Sequence, residues 1–375
     1  MWSKKLKNIY QLGTKELWSL WRDLIMLILI LYTFTFSVYV SSTAIPETLN
    51  QAPIAIVDED QSSLSRQITG AFIKPYFLSQ TTELSTMDAG MDAGNFTFAL
   101  VIPVGFQENV LAGNAASIQL NVDATRMSQA MSGSGYIQQI IMAEVNQYIQ
   151  RHRQDTVLPV ELELRTRFNP TRNTIWFGSI MQVINNITML SIILTGAALI
   201  REKEHGTIEH LLVMPVTVFE IMMAKVWSMT LVVMCASFLS IKLVVETLLN
   251  VPIEGSLLLF FMGTLLSLFA MTSLGIYLAT VSKSMPQFGL LMMLVMMPLQ
   301  MLSGGSTPRE SMPELVQHVM MIAPTTHFVE LAQAILYRAA GLDVVWQPFL
   351  FLALIGALFF YVSLRHFGKT IHTMT

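Results

Sequence analysis

Residues 175–204 read IWFGSIMQVINNITMLSIILTGAALIREKE, an apolar run closed abruptly by Arg201, Glu202, Lys203 and Glu204. About 20 mainly apolar residues cross the hydrocarbon core of a bilayer. Residues 175–200 exceed that length without a charged side chain. Five more stretches read the same way: 24–40, 219–245, 256–281, 288–302 with Pro298 inside it, and 346–364. Composition agrees. Hydrophobic residues make up 53% of the 375 and charged residues 13%, about half the charged share of a soluble domain. The fold class expected is an α-helical membrane protein with six transmembrane helices.

Working outward, the chain divides at 1–22, 23–42, 43–173, 174–364 and 365–375. Lys4, Lys5, Lys7, Lys15 and Arg22 precede the first span, which places the N-terminus in the cytoplasm. Six crossings then bring Arg201, Lys203, Lys283, Arg365 and Lys369 to the same side, so both termini are cytoplasmic. The apolar stretch 315–336 contains His318, Pro324, His327 and Glu330. Re-entrant helices broken at Pro324, within a segment 303–340, suit those polar groups better than a seventh crossing. The first span reads as a retained helix rather than a cleaved leader, because about 22 residues precede it. Within 1–22, Leu6, Ile9, Tyr10, Gly13, Leu17, Leu20 and Trp21 recur at helical spacing, with Lys4, Lys5, Lys7, Lys15 and Glu16 assigned to the opposite face. That pattern predicts a helix lying in the headgroup plane.

The hydrophilic segment 43–173 reads as a mixed α/β domain. Strands are predicted over 52–57, 98–102, 117–122 and 160–168. Helices are predicted from Ser62 or Ser63 to about Lys74, over 104–111 and over 129–151, the last dividing the domain into a lobe and a stalk. Asp58, Glu59 and Asp60 lack the distributed spacing of a calcium loop and read as a solvated turn. One cysteine, Cys235, excludes an intramolecular disulfide. A net charge of −3 gives no footprint for nucleic acid.

The loop after the opening stretch mixes charge with an apolar Leu211, Leu212 and Val213 patch and ends at Pro215. A short surface helix with exposed leucines suits docking into a partner's groove. An ordinary charged loop between spans is the plainer reading. The segment resembles the signature of ABC-2-type export permeases, the membrane subunits of bacterial ABC exporters, roughly R-E-x-E-x-G-T-x-E-x-L-L-x-x-P followed by a Glu and a Gly-Lys. This chain supplies Arg201, Glu202, Glu204, Gly206, Thr207, Glu209, Leu211, Leu212, Pro215, Glu220 and Lys225. Residues 56–62 are similar to the family's first external strand and turn. Ser303 and Gly304 with Pro313, then Pro324 and His327, are similar to its re-entrant region. The chain departs from the pattern at Gly178-Ser179, Ala224 and Gln333.

The resemblance implies a multi-pass protein of the bacterial inner membrane, in contact with membrane lipids, whose 43–173 domain is periplasmic. It implies an ABC ATPase subunit as partner, a second permease copy (homodimer or paralogous heterodimer) and a periplasmic adaptor or membrane-fusion protein. The loop 201–218 and the N-terminal helix would receive the ATPase movement. No phosphate-binding G-x-x-x-x-G-K-[ST] motif occurs in the chain. ATP and Mg are therefore expected on the ATPase, with no cofactor, metal or catalytic residue here. The implied function is ATP-driven export of a hydrophobic or amphipathic, drug-like substrate.

Intramembrane polar groups add candidates. Asn185 and Asn186 would line a substrate path or bond between helices. Met293 and Met297 belong to a Met-rich helix suited to varied apolar substrates, which is favoured over a copper path. Lys225 reads as snorkelling to the cytoplasmic edge, and Lys242 as pairing with Glu246. Two other classes stay open: a non-transporting signal transmitter, and an intramembrane serine hydrolase using Ser303 or Ser306 with His327.

Overall fold

The computed structural model describes residues 2–43, 51–123, 127–152, 174–204, 206, 216–305, 307 and 309–372. It divides into two units, one built from residues 1–44 and 166–375 and the other from 45–165.

The first unit holds five helices long and apolar enough to cross a membrane: Leu24–Thr43, Ile175–Glu204, Val218–Leu248, Leu257–Val281 and Leu342–Lys369. We call them spans 1 to 4 and the C-terminal span. A shorter apolar helix, Met285–Met301, has 17 residues and coincides with the remaining predicted crossing. Glu314–Met320 and Pro324–Arg338 form a pair bent by 89°, so the apolar stretch is broken where Pro324 predicts. Span 4 is the hub of the bundle and packs on span 2, where Gly275 lets backbones meet. A Cβ there would lie 3.0 Å from the Ile192 carbonyl oxygen. Small residues at such crossings let van der Waals contact replace the hydrophobic driving force that lipid removes.

Two spans carry wide π-helical turns, Thr33–Ser37 in span 1 and Ser240–Leu248 at the end of span 3. A π-turn leaves carbonyls without their usual i+4 donor, and inside a bilayer these need another. Asn186 supplies one: its Nδ2 donates to the Thr33 carbonyl at 2.6 Å. Ser240 Oγ donates to the Phe34 carbonyl at 2.6 Å. Gln182 extends the set, donating to Asn186 Oδ1 at 3.0 Å and accepting from Ser41 Oγ at 3.0 Å. Lys242 and Glu246 pair as expected, at 2.7 Å.

The second unit is a four-stranded sheet in the order β2-β1-β3-β4, with β1 (Ala52–Asp58), β2 (Phe77–Thr81), β3 (Phe98–Ile102) and β4 (Gln119–Val122). β1 pairs parallel with β2 and β3, and β3 antiparallel with β4. Both faces of β1 and β3 are buried, as parallel strands require. Ile54, Ile56, Phe98 and Leu100 face a core shared with helices Ser63–Ala71 and Met127–His152, while Ala55, Val57, Ala99 and Val101 pack with Met87 of helix Leu84–Asp92.

β2 and the Leu84–Asp92 helix were absent from the sequence reading. After Phe77, β2 exposes all its side chains, so it has no alternating pattern to find. The long helix does not divide a lobe from a stalk. Ile137 and Tyr148 bury it against the sheet core, and Tyr148 Oη lies 2.7 Å from Ser63 Oγ. The predicted strand 160–168 lies outside the described residues.

The acidic turn is fastened rather than solvated. Asp58 accepts from the Gln61 backbone and from Ser65 Oγ. Asp60 accepts from the backbone N–H groups of Phe106 and Gln107 at 3.0 and 3.1 Å, and so caps helix Phe106–Ala112. Burial alone pushes the Asp60 carboxyl up. Hydrogen bonds from Ser62 and from the Gln107, Phe106 and Gly105 backbone outweigh it and hold the carboxyl below the usual aspartate range.

Candidate functional site

Of the predicted coupling residues, Glu202 and Lys225 meet directly, with partners not foreseen from the sequence. The N-terminal helix Trp2–Trp21 packs along span 3. At Gly13 the two pack so tightly that a Cβ would lie 2.2 Å from the Trp227 ring. Trp227 Nε1 donates to the Ile9 carbonyl at 3.1 Å, and Tyr10 stacks on the same indole. Trp18 and Trp21 remain exposed.

Two residues before Trp227, Lys225 is 1% exposed. It does not snorkel. Its Nζ lies 3.0 Å from Glu16 Oε1 and 2.7 Å from Glu202 Oε2. A buried ammonium needs counter-charges and acceptors together, and here two elements supply them. Glu16, assigned from the sequence to the polar face of the N-terminal helix, is therefore buried. The apolar stripe is real, but its buried centre is Gly13, Glu16 and Leu20, while Leu6, Tyr10 and Trp21 face outward. Lys15 completes the set at 3.0 Å from Glu202 Oε1. Two lysines thus balance two glutamates. Burial, aided by the Glu202 charge, outweighs the attraction of Lys225 and Lys15 and pushes the Glu16 carboxyl above the usual glutamate range.

Around this centre each charge of the Arg201–Glu204 run has its own anchor. Arg201 pairs with Asp23, which also caps span 1 by accepting from the Met26 backbone. Lys203 donates to the carbonyls of Ala279, Thr280 and Ser282 at 2.7–3.1 Å, a cation on the negative end of span 4. Glu204 accepts from the Met285 backbone N–H at 2.9 Å, a carboxylate on the positive end of the next helix. Glu220 closes a capping box with Thr217 at the start of span 3 and accepts from Asn8 of the N-terminal helix. A cleft of about 210 Å³ beside Lys15, Glu16, Arg201 and Glu202 leaves room for several waters.

The arrangement ties the N-terminal helix, the two helix ends that flank loop 205–215, and the turn after span 4 into one charged cluster. Gly206 adopts a positive φ of 68°. Thr207, Glu209, Leu211, Leu212 and Pro215 lie outside the described residues. Lys15, Glu16, Asp23 and Lys203 were missed as members of the cluster. Their signal was available only as unusual charges flanking apolar runs.

The other candidates do not join this cluster. Asn186 is buried and bonded to span 1, and Asn185 is half-buried. Met293 and Met297 are 66% and 68% exposed on the outer face of their helix, not directed into this unit. Ser303 Oγ donates to the Gln300 carbonyl, and Gly304 has a positive φ of 92°. Pro313 precedes helix Glu314–Met320 and Pro324 opens the next helix. His327 is buried, with Nε2 at 2.8 Å from the Met321 carbonyl and its ring stacked on Phe351. Ser303 and His327 are engaged with these separate partners and make no hydrogen bond to each other. Ser306 lies outside the described residues.

A family model described as ABC-2 family transporter protein matches residues 15–365. The inner membrane transport permease YhhJ of Escherichia coli (strain K12) is 59% identical over 372 residues, covering 99% of this chain and all of the relative. The probable multidrug ABC transporter permease YbhR of the same strain is 26% identical, covering 91% of this chain and 92% of the relative. The probable multidrug ABC transporter permease YbhS is 28% identical, covering 85% and 83%.

Proposed function

Because the chain belongs to the ABC-2 family of transporter proteins, we propose that it is the membrane subunit of an ATP-driven exporter whose charged cluster transmits the stroke of a separate ATPase. Permeases of this family work with an ABC ATPase and often pair with a second permease. The observation that carries the reading is Lys225, buried in span 3 and holding both Glu202 at the neck of loop 205–215 and Glu16 of the N-terminal helix. A push on that loop reaches the N-terminal helix and spans 2 and 3 together, because separating them would leave buried charge unpaired. Export runs from the cytoplasm or the inner leaflet outward, with both termini and loop 205–215 cytoplasmic and residues 43–173 periplasmic. The cargo is hydrophobic or amphipathic, in keeping with the multidrug permeases among the relatives. A periplasmic adaptor would meet the 43–173 domain.

The test is purification at native expression, followed by quantitative mass spectrometry and reconstituted transport. A P-loop ATPase near one copy per permease is expected, with association and ATP-driven transport lost in Leu211→Asp. Retention of both in that variant would exclude the loop as the docking element. ATPase association without any transport would favour the transmitter class instead.

A further inference from the structure

We propose that the cavity beside the bent helix pair binds an amphiphile with a phosphate headgroup. Phe177, on its wall, lies in the first turn of span 2, whereas Glu204 ends that helix. At 1.5 Å per residue the two are about 40 Å apart, so this site is separate from the charged cluster. The cavity holds about 610 Å³, within the range of small-molecule sites.

Its long wall is one face of helix Pro324–Arg338, where Thr326, Val329, Glu330 and Gln333 follow at i, i+3, i+4 and i+7. From Thr326 to Arg338 that wall runs about 18 Å. Arg309 and Arg338 also line the cavity. Among the described residues neither guanidinium has a carboxylate within 4.0 Å, and Glu330, which also lines the cavity, pairs with neither. Elsewhere in this unit Arg201 has its aspartate and Lys225 its glutamates. Two guanidiniums against one carboxylate leave a net positive cavity, and a planar fork of donors suits phosphate oxygens.

A second observation is independent of charge. Thr326 is 3% exposed, and its Oγ1 has no hydrogen-bond partner among the described residues. Thr230, Ser267 and Thr325 are left so as well, and Thr326 is the one of the four that lines the cavity, where an acceptor on a ligand would satisfy it. Phe177 and Val329 give the wall an apolar part. Phe177 stacks on Tyr337, whose hydroxyl donates to the Phe177 carbonyl at 3.0 Å, so the aromatic surface is held in place. Inorganic phosphate would use the arginines and leave that surface and most of the length empty. An amphiphile would fill them.

The test uses the full chain in digitonin micelles, whose surfactant carries no phosphate, titrated with dodecyl phosphate, inorganic phosphate and uncharged dodecyl glucoside. Dodecyl phosphate is expected to bind at least tenfold more tightly than either of the other two. Arg309→Gln with Arg338→Gln should weaken it at least tenfold, and Thr326→Val severalfold. Arg309→Lys with Arg338→Lys should fold as the parent and keep part of the affinity, which separates charge from loss of structure. Equal affinity for inorganic phosphate would make this a free-anion site and overturn the amphiphile. Equal affinity for the glucoside, or unchanged binding in the glutamine pair, would overturn the oxyanion site altogether. None of these readouts involves ATP or transport, so their failure leaves the coupling proposal standing, and the reverse holds too.

Discussion

The two ends of the helical unit handle charge in opposite ways. At the end carrying loop 205–215, Lys15, Glu16, Glu202 and Lys225 neutralise one another, and Arg201, Lys203 and Glu204 each take a partner on a different helix. At the other end Arg309 and Arg338 border a cavity with no paired carboxylate among the described residues. Buried, mutually satisfied charge fixes the position of the helices that bear it. Unpaired charge at a cavity has its hydrogen-bonding capacity left for a ligand. The contrast teaches that charge paired between helices ties them together, whereas charge at a cavity is open to a ligand, which is the basis of the two proposals above.

The largest effect that would break this contrast is at Lys225. Lys225→Met leaves two buried carboxylates without their shared cation, at a cost of about 3–5 kcal/mol. A large fall in thermal stability in detergent is expected, with the N-terminal helix becoming open to protease. Glu16→Gln and Glu202→Gln added to Lys225→Met should recover most of that loss. A triple variant as unstable as the single one would mean that packing, not charge, joins the elements.

Asn186→Leu is the next. It removes the donor to the Thr33 carbonyl inside the π-turn, which should cost about 1 kcal/mol. A lower thermal midpoint with unchanged substrate preference is expected. Altered preference at full stability would return Asn186 to the substrate path.

An effect of similar size to that at Asn186 lies in the sheet unit, at Asp60. Its folded carboxyl sits below the ordinary aspartate value of 3.8. The stabilisation is therefore complete above that value and is lost as pH falls through the lowered one. Asp60→Asn should flatten this acid limb and lower stability at neutral pH by about 1 kcal/mol, as for other lost helix caps. Hydrogen exchange of helix Phe106–Ala112 in the full chain, followed from pH 6 downward, reads both changes. An unaltered acid limb in the variant would show that Asp60 does not hold that helix.

Much of this was legible because the bilayer and the sheet core impose local patterns. A mainly apolar run long enough to cross the membrane has few other uses, so spans 1 to 4 were visible. Pro324 removes a backbone donor wherever it stands, so the break was visible as well. Phe98–Ile102 is apolar throughout because both its faces are covered. Where burial falls on one residue in five, as in Phe77–Thr81, nothing marked the strand. Lys225 misled for a different reason. A single lysine near the end of an apolar helix is compatible with snorkelling, and nothing adjacent in sequence distinguishes that from a buried pair.

The sequence by itself determined which segments are apolar enough for a membrane, where an α/β domain interrupts them, and that a charged run closes span 2. Those properties follow from side-chain transfer energies and local backbone constraints, which act within a few residues. Only the tertiary structure decided the pairing of charges, because Glu16 and Lys225 stand 209 positions apart and meet solely through helix packing. The same packing turned Glu16 inward, gave Asn186 to a freed carbonyl, and left Arg309 and Arg338 around a cavity. A charge's neighbours in space, not in sequence, set whether it fastens helices or awaits a ligand.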